Sequence, residues 1–163
     1  MLKDKPEHFT FDGTWNGIPM LCHNATLFWL YEDEFNREPS YDQFLNFGAL
    51  GVTAIIDSML PLGRKLRRPA VGPSVLTAGS VLIFVANGHA VHSCIAMQHN
   101  LIGGYNQVGW FARNGVPTEF STHLTTEIRW HDSNLVVGSH NQLCTLIEVP
   151  ENSAKAIIRQ IVQ

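Results

Sequence analysis

The sequence predicts an α+β fold in which N-terminal helices pack on a mostly antiparallel sheet. Two observations predict it. Apolar residues recur at helical spacing near the beginning and at the end of the chain. Between these regions, short apolar runs alternate with Asn-Gly and Gly-Gly pairs, as strands joined by tight turns do. Helices grouped before a sheet are typical of the α+β class.

Length and composition predict one domain over residues 1–163. The chain is 45% hydrophobic and 15% charged, which excludes an intrinsically disordered protein. Its net charge of −3 gives no electrostatic reason to expect nucleic acid. No apolar run reaches about 18 residues, so we expect no membrane span. Residues 1–9 lack the apolar core of a secretory signal, and we expect a soluble protein of the cytosolic type.

The first predicted helix starts at Cys22, after an irregular lead-in over residues 1–21. Its apolar residues recur at helical spacing, at Ala25, Phe28 and Trp29, which predicts an amphipathic helix. The acidic run 32–34 ends it. Cys22 is therefore expected at or near a helix N-terminus.

A second helix is predicted from about Tyr41 to Met59. Ser40 followed by Gln43 is a capping-box pattern at its start. Gly48 and Gly51 weaken its centre by about 1 kcal/mol each relative to alanine. These glycines allow either close packing or a break.

The second half of the chain predicts a sheet and one closing helix. The expected strands are Val81–Val85, His92–Met97, Tyr105–Phe111, His123–Trp130, Leu135–Val137 and Leu143–Val149. The expected turns are Asn87-Gly88, Gly103-Gly104 and Asn114-Gly115. The closing helix is expected over Ser153–Val162.

Residues 64–78 are predicted to connect the helices to the sheet. They begin with a basic cluster, Arg64-Lys65-Leu66-Arg67-Arg68, followed by Pro69. We interpret the cluster as a solvated connection that could attract an acidic partner surface.

Three cysteines argue against a disulfide framework and leave at least one free thiol, which suits a reducing compartment. Cys22 is the candidate nucleophile because a helix N-terminus favours the thiolate form of cysteine. Cys94 and Cys144 lie in apolar strand runs, and we expect both in the core.

A cysteine nucleophile needs a base, and the base needs an orienting group. His92, at the start of a predicted strand, is the preferred base, and His89 in the preceding turn is the less favoured alternative. Asn106 follows His92 by 14 residues on the next strand and can orient its ring. Gln107 is the alternative, since strand alternation allows only one of the two to face the site.

The oxyanion of a tetrahedral intermediate needs hydrogen-bond donors. The backbone N–H of Cys22 is one candidate, and Asn16, six residues earlier, is the side-chain candidate. Asn16 could also serve only as a turn residue, because Asn-Gly is a common turn pair.

No metal site is expected. His89, His92 and Cys94 are ligand types at close spacing, but strand alternation separates His89 from the other two and the chain has no Cys-x-x-Cys pair. Three further histidines are interpreted as structural or surface residues, namely His123, His131 and His140.

The order and spacing of Asn16, Cys22, His92 and Asn106 resemble the papain-like cysteine hydrolase superfamily. In that family a Gln or Asn six residues before the nucleophile helps to form the oxyanion hole, and the catalytic Cys, His and Asn or Asp follow in this order. The resemblance covers about residues 14–111. The short spacing from His92 to Asn106 resembles the compact bacterial effector and toxin members.

Two departures from the family concern the nucleophile. His23 stands where the family has a tryptophan after the cysteine, and the larger Gly-Ser-Cys-Trp signature is missing. The family includes proteases, peptidoglycan amidases and glutamine deamidases. The resemblance therefore implies a papain-like fold and a cofactor-free cysteine hydrolase that attacks an amide.

As an effector, the protein would act on a protein target in a recipient cell, after delivery by a specialised secretion route. An immunity or activating protein is a further partner that the resemblance allows. Peptide-bond cleavage and glutamine deamidation are both open, and the short chain without a second lobe favours the deamidase. Peptidoglycan amidase activity is a third option. The alternative from another class is a non-enzymatic protein-binding module of the same fold, in which Cys22 is a core residue.

Overall fold

A computed structural model describes residues 4, 14–106 and 119–162, and within them the chain is α+β, with four α-helices and a mostly antiparallel sheet. The helices are α1 Cys22–Phe35, α2 Tyr41–Leu50, α3 Val52–Met59 and α4 Glu151–Val162. The strands are β1 Thr14–Trp15, β2 Ile18–Pro19, β3 Arg64–Lys65, β4 Val81–Ala86, β5 His89–Gln98, β6 Leu101–Asn106, β7 Glu119–Leu124, β8 Val136–Val137 and β9 Leu143–Val149. The predicted fold class is confirmed.

The main sheet runs β3-β9-β4-β5-β6-β7, and β8 pairs with the outer part of β9. All of these neighbours are antiparallel. β1 and β2 form a separate hairpin whose turn residues, Asn16 and Gly17, have φ values of 48° and 77°. Positive φ at both turn residues suits an Asn-Gly pair, so the predicted turn is confirmed.

The sheet buries both faces, and each face has its own apolar cluster. The helices and the β1–β2 hairpin cover one face, which we call the helix face, where residues such as Phe28, Ile83 and Ile95 pack. The opposite face, which we call the loop face, packs Phe84 and Cys94 with other apolar residues. Residues from the irregular segments also join the loop-face cluster, at Leu66, Leu76 and Ile128. This two-sided burial explains why β4 reads as a continuous apolar run.

Helix α1 lies at the centre of the helix layer and is buried on nearly all sides. It packs on β5 and β6 and also contacts α2, α3 and α4. Its run from Ala25 to Tyr31 is buried without a break. The predicted amphipathic pattern is therefore wrong for α1, because helices on its outer side replace the solvent that an amphipathic helix would face.

The second predicted helix is broken into α2 and α3 at Gly51. The break lies at a φ of 88°, which glycine adopts without the penalty of a β-carbon. The start of α2 is as predicted, because the N–H of Gln43 donates to Oγ of Ser40 at 3.1 Å.

The predicted turn at Gly103-Gly104 is wrong, because both glycines lie inside β6 and the chain turns earlier, at residues 99–100. A β-carbon at Gly103 would collide with the side chain of Met97, and one at Gly104 would lie 3.1 Å from Cβ of Cys94. Close contact inside the sheet, and not a turn, accounts for this pair.

Other boundaries differ by smaller amounts. The strand predicted over His123–Trp130 ends at Leu124, where a 3-10 turn begins. The predicted connection 64–78 contains the two-residue strand β3, and β5 begins at His89 instead of His92. Helix α4 begins two residues earlier than predicted, whereas β9 has the predicted bounds. Residues 107–111 and the Asn114-Gly115 turn lie outside the described residues.

No single helix among the described residues is long and apolar enough to cross a membrane. The bent pair Tyr41–Leu50 and Val52–Leu62, which turns by 74°, meets the criterion by length and composition only.

Two glycine substitutions should change stability in opposite directions. In Gly63→Ala, the new β-carbon would lie 2.5 Å from Cγ2 of Ile147 and 2.9 Å from the carbonyl oxygen of Glu148. We expect this crowding to lower the free energy of unfolding by about 1–3 kcal/mol. Gly48→Ala, in an exposed part of α2 with no atom within 4 Å, should raise it by up to about 1 kcal/mol. Denaturant unfolding measures both, and equal stability of the two variants would contradict the packing of residue 63 against β9.

Candidate functional site

Cys22 is the first residue of α1, as the sequence predicts. It follows the extended N-cap residue Leu21 and is 9% exposed, so its thiol lies inside the protein and not on its surface. The helix N-terminus nevertheless brings backbone N–H groups to the sulfur, those of Cys22 itself and of His23.

The thiol of Cys22 lies at the seam between β5 and β6. The N–H of Ala96 donates to Ser80 on the β4 side of β5, so alternation along the strand turns the N–H of Ser93 towards β6. That N–H of Ser93 acts on the Cys22 sulfur and lowers the pKa of the thiol. The register of β5 with β6 pairs Ile95 with Gly103 and Ala96 with Ile102, and Ser93 lies two residues before Ile95 on β5.

Burial outweighs these hydrogen bonds in setting the acidity of the thiol. Loss of solvation raises the pKa of Cys22 above its ordinary value of 9.0, and the N–H groups of Ser93, His23 and Cys22 only partly offset the rise. The expectation of a resting thiolate at the helix N-terminus is therefore wrong for this structure. Cys22 rests as a neutral thiol at neutral pH.

A buried chain of hydrogen bonds joins α1 to β5 beside the thiol. Oγ of Ser93 lies 2.7 Å from Nδ1 of His23 and 3.0 Å from Oγ1 of Thr26. Nε2 of His23 lies 3.3 Å from the carbonyl oxygen of Ala90. Oγ1 of Thr26 donates to the carbonyl oxygen of Cys22 at 3.0 Å. These hydrogen bonds hold the first turn of α1 against β5, the strand that contains Ser93.

These four hydrogen-bond contacts need four protons, and the three side chains supply only three when His23 is neutral. Ser93, Thr26 and a neutral imidazole provide three hydrogens for four contacts, whereas an imidazolium provides the fourth. Burial lowers the pKa of His23 below its ordinary value of 6.5, with the carbonyl of Ala90 and the charge of Asp57 acting in the opposite direction. At neutral pH His23 is therefore neutral, and three of the four contacts carry a proton.

His92 is fully buried in β5, on the loop face of the sheet. Its ring centroid lies 5.4 Å from that of Phe84, which belongs to the loop-face cluster. Ser93 points to the helix face, so the two neighbours point to opposite sides of the sheet. The backbone N–H between them acts on the Cys22 thiol, but the ring of His92 points to the face of the sheet opposite α1, so the described contacts do not bring the predicted base and nucleophile together.

Asn106 is the last residue of β6, the strand next to β5. It lies three residues beyond Gly103, the partner of Ile95 on β5. The predicted neighbour relation of the two strands is confirmed at the level of the backbone. Gln107, the alternative orienting residue, lies outside the described residues.

His89 lies away from the seam. It begins β5 after the Asn87-Gly88 turn, its side chain is 75% exposed, and Nδ1 lies 3.0 Å from Oδ2 of Asp57 on α3. Asp57 also accepts the N–H of Ala90 at 2.7 Å, which fixes the carboxylate. The pair fastens the start of β5 to α3.

Asn16 is exposed in the turn of the β1–β2 hairpin. Its positive φ is explained by the turn, which supports the turn role that the sequence left open beside the oxyanion role. The hairpin itself is anchored by Trp15, whose ring packs against Phe28 and Phe44 and whose Nε1 donates to Glu38. This anchoring holds the chain that leads into Cys22.

Sequence reasoning missed two contributors to the site, His23 and Ser93. The signal was present, because a polar pair at the start of a buried helix and a serine in a buried strand each need partners. It also missed a second polar cluster on β7, in which His123 lies 2.9 Å from Oγ of Ser121 and 3.4 Å from Oε1 of Glu127. His123 is buried with these partners, consistent with the structural role expected of it.

The remaining candidates are placed as follows. Cys94 and Cys144 are buried, as predicted for core residues, and burial raises the pKa of Cys94 well above its ordinary value. His131 and His140 are exposed. Within residues 14–106 and 119–162 no group of three His, Cys, Asp or Glu side chains could hold a metal ion.

Comparison with known protein families, with curated proteins and with solved structures finds no match to this chain. The site is therefore interpreted from its own geometry.

Replacing Ser93 by alanine should destabilise the fold because it removes both contacts of the serine hydroxyl and leaves the buried Nδ1 of His23 without its partner. We expect the free energy of unfolding to fall by about 1–3 kcal/mol. Ser58→Ala is the matched control, since Ser58 is exposed and bonds only within its own helix. Denaturant unfolding of both variants decides the point, and a Ser93 variant as stable as the Ser58 variant would show that the buried chain does not hold α1.

Iodoacetamide labelling should reveal a neutral, shielded Cys22 in the native protein. Because burial raises the thiol pKa, the reactive thiolate is scarce at neutral pH and becomes common only when the pH rises beyond 9.0. We expect Cys22 to label more slowly than a free cysteine at neutral pH and faster than the fully buried Cys94 at every pH. Peptide mass spectrometry measures each rate. Rapid labelling of Cys22 below neutral pH would contradict the raised pKa.

Proposed function

We propose that the protein is a cysteine-dependent amide hydrolase with a papain-like arrangement of Cys22, His92 and Asn106. The observation that carries the proposal is the position of the Cys22 thiol. It lies at a helix N-terminus, against the His92–Ser93 peptide, at a seam where the neighbouring strand ends in Asn106. In this proposal Cys22 on α1 is the nucleophile, His92 on β5 is the base and Asn106 on β6 is the orienting residue.

The neutral resting thiol determines the form of the chemistry. The proton of Cys22 passes to the imidazole of His92 as the sulfur attacks the amide carbon, and the carbonyl oxygen becomes an oxyanion. The C–N bond then breaks, and His92 gives the proton to the leaving amine or ammonia. Water next attacks the thioester with His92 again as base, which releases the carboxylic acid and restores the thiol. No cofactor enters this cycle.

Two candidate groups support the oxyanion. The N–H of Cys22 already points at the site of the sulfur, as expected for the first residue of a helix. Asn16 stands on the exposed hairpin turn that leads into Cys22, and its amide is the proposed second donor.

The proposed substrate is a protein in a recipient cell, reached by a specialised secretion route, with an immunity or activating protein as a further partner. A glutamine side chain is favoured over a peptide bond because the thiol is buried, and one side chain needs less space to reach it than an extended chain does. Peptidoglycan amidase activity remains the third option.

One observation favours a second candidate function, a non-enzymatic protein-binding module. Cys22 is buried and its pKa is raised, as is ordinary for a core cysteine. In that case the seam between β5 and β6 would be a packing feature, and substitution of His92 would change stability without changing any reaction.

The test compares wild type with Cys22→Ser and His92→Ala on proteins extracted from candidate recipient cells. Mass spectrometry then searches for glutamines converted to glutamate and for new N-termini. We expect Cys22→Ser to abolish the wild-type products and His92→Ala to slow their formation by about 10²–10⁴-fold, as loss of a general base does.

Matched controls separate chemistry from folding. Cys144→Ser removes another buried thiol, and His89→Ala removes the exposed histidine that was the less favoured base. Both should keep the wild-type rate. Products that survive in Cys22→Ser would exclude the cysteine mechanism, and loss of activity in His89→Ala but not in His92→Ala would reassign the base.

A further inference from the structure

The segment 64–76, which we call the basic loop, concentrates positive charge on an otherwise acidic chain. Four of its first five residues are cationic, whereas the whole chain has a net charge of −3. The basic loop begins in β3 and then crosses the loop face of the sheet, where Leu66 and Leu76 are buried in the cluster. These two residues anchor the segment, and most of the residues between them are exposed.

The charges of the basic loop differ in how they are used. Arg64 is held by Glu148, with Nη2 and Nε at 2.8 Å and 3.1 Å from Oε1. Lys65 lies near the carboxylate of Asp132, whose pKa is lowered mainly by the backbone N–H of Asn134 and to a smaller extent by Lys65. Arg67 and Arg68 are exposed and form no ion pair with any described residue. These two charges contribute nothing to internal ion pairing and are available to a partner.

Apolar side chains project from the same segment. Val71 is 90% exposed and Val75 is 64% exposed, on a turn that Gly72 makes at a φ of 74°. Two exposed valines next to two exposed arginines place apolar and cationic groups on one short segment. A segment with both basic and apolar side chains is suited to bind a partner whose outer layer is anionic and whose interior is apolar.

Two cavities flank the turn and share Ser74. One, of about 330 Å³, is lined by Arg64, Lys65, Arg67 and Val75 among others, and the second, of about 480 Å³, lies beside Arg68 and Trp130. Ser74 is buried, and its Oγ has no hydrogen-bond partner among the described residues. A hydroxyl without a partner between two cavities with cationic linings is placed to donate to an anion.

We propose that the basic loop binds the surface of an anionic phospholipid membrane, with Arg67 and Arg68 on the phosphate groups and Val71 and Val75 inserted among the acyl chains. A peripheral contact needs two signals for stable binding, and the segment supplies charge and apolar insertion together. The basic loop lies on the loop face, so this contact leaves the helix face uncovered. The inference does not depend on the proposed hydrolase activity.

The test is co-sedimentation of the full chain with vesicles of phosphatidylcholine alone or of phosphatidylcholine with phosphatidylserine. We expect binding only to the vesicles that contain phosphatidylserine, with a loss on raising the salt concentration. Arg67→Gln with Arg68→Gln should weaken binding roughly 30-fold, at about a fivefold loss for each surface cation. Val71→Ser should weaken it several-fold without changing the salt dependence.

The matched control is Arg37→Gln with Arg159→Gln, which removes two charges elsewhere on the surface and should leave binding unchanged. Equal binding to both kinds of vesicle, or an equal loss in the control variant, would overturn the proposal. So would binding of soluble glycerophosphoserine that is unaffected by Val71→Ser, since that result would assign a site for free anions. Binding of an oligonucleotide through Arg67 and Arg68 without vesicle binding would assign the surface to nucleic acid instead.

Discussion

The buried hydrogen bonds between α1 and β5 determine where the Cys22 thiol can lie. Ser93 bonds to His23 and Thr26, and Thr26 bonds to the carbonyl of Cys22, so the first turn of the helix cannot slide along the strand without breaking several contacts at once. Polar groups in an apolar interface cost free energy when they lose their partners, which makes the position of α1 specific. The thiol at the seam follows from that position.

Two physical effects change the pKa of the Cys22 thiol in opposite directions. Three N–H groups favour a thiolate, and exclusion from water disfavours it more strongly, so the pKa of Cys22 is raised. A hydrolase built on such a thiol gains protection from adventitious oxidation and loses reactivity at rest. In the proposed reaction, the thiol would have to lose its proton to His92 when the substrate binds.

Patterns that depend on local sequence were predictable, and those that depend on tertiary contacts were not. The start of α1 at Cys22, the cap at Ser40 and the bounds of β9 follow from residue types that act on their own neighbours. The glycine pair in β6 was predicted as a turn because its reason lies in Met97 and Cys94, on another strand. For the same reason the sequence identified Cys22 as the helix start but did not indicate its burial, which the surrounding helices impose.

Side chains alternate between the two faces along β5, and this alternation determines which face His92 can reach. Ser93 uses its side chain on the helix face to hold α1, and His92 consequently points to the loop face, against Phe84. A thiol on the helix face alone would be separated from His92 by the sheet. The sulfur of Cys22 lies near the N–H of Ser93 in the backbone of β5, whereas the ring of His92 packs against Phe84 on the other face. The proposed proton transfer from Cys22 to His92 therefore requires the imidazole to leave its contact with Phe84 and approach the backbone of β5.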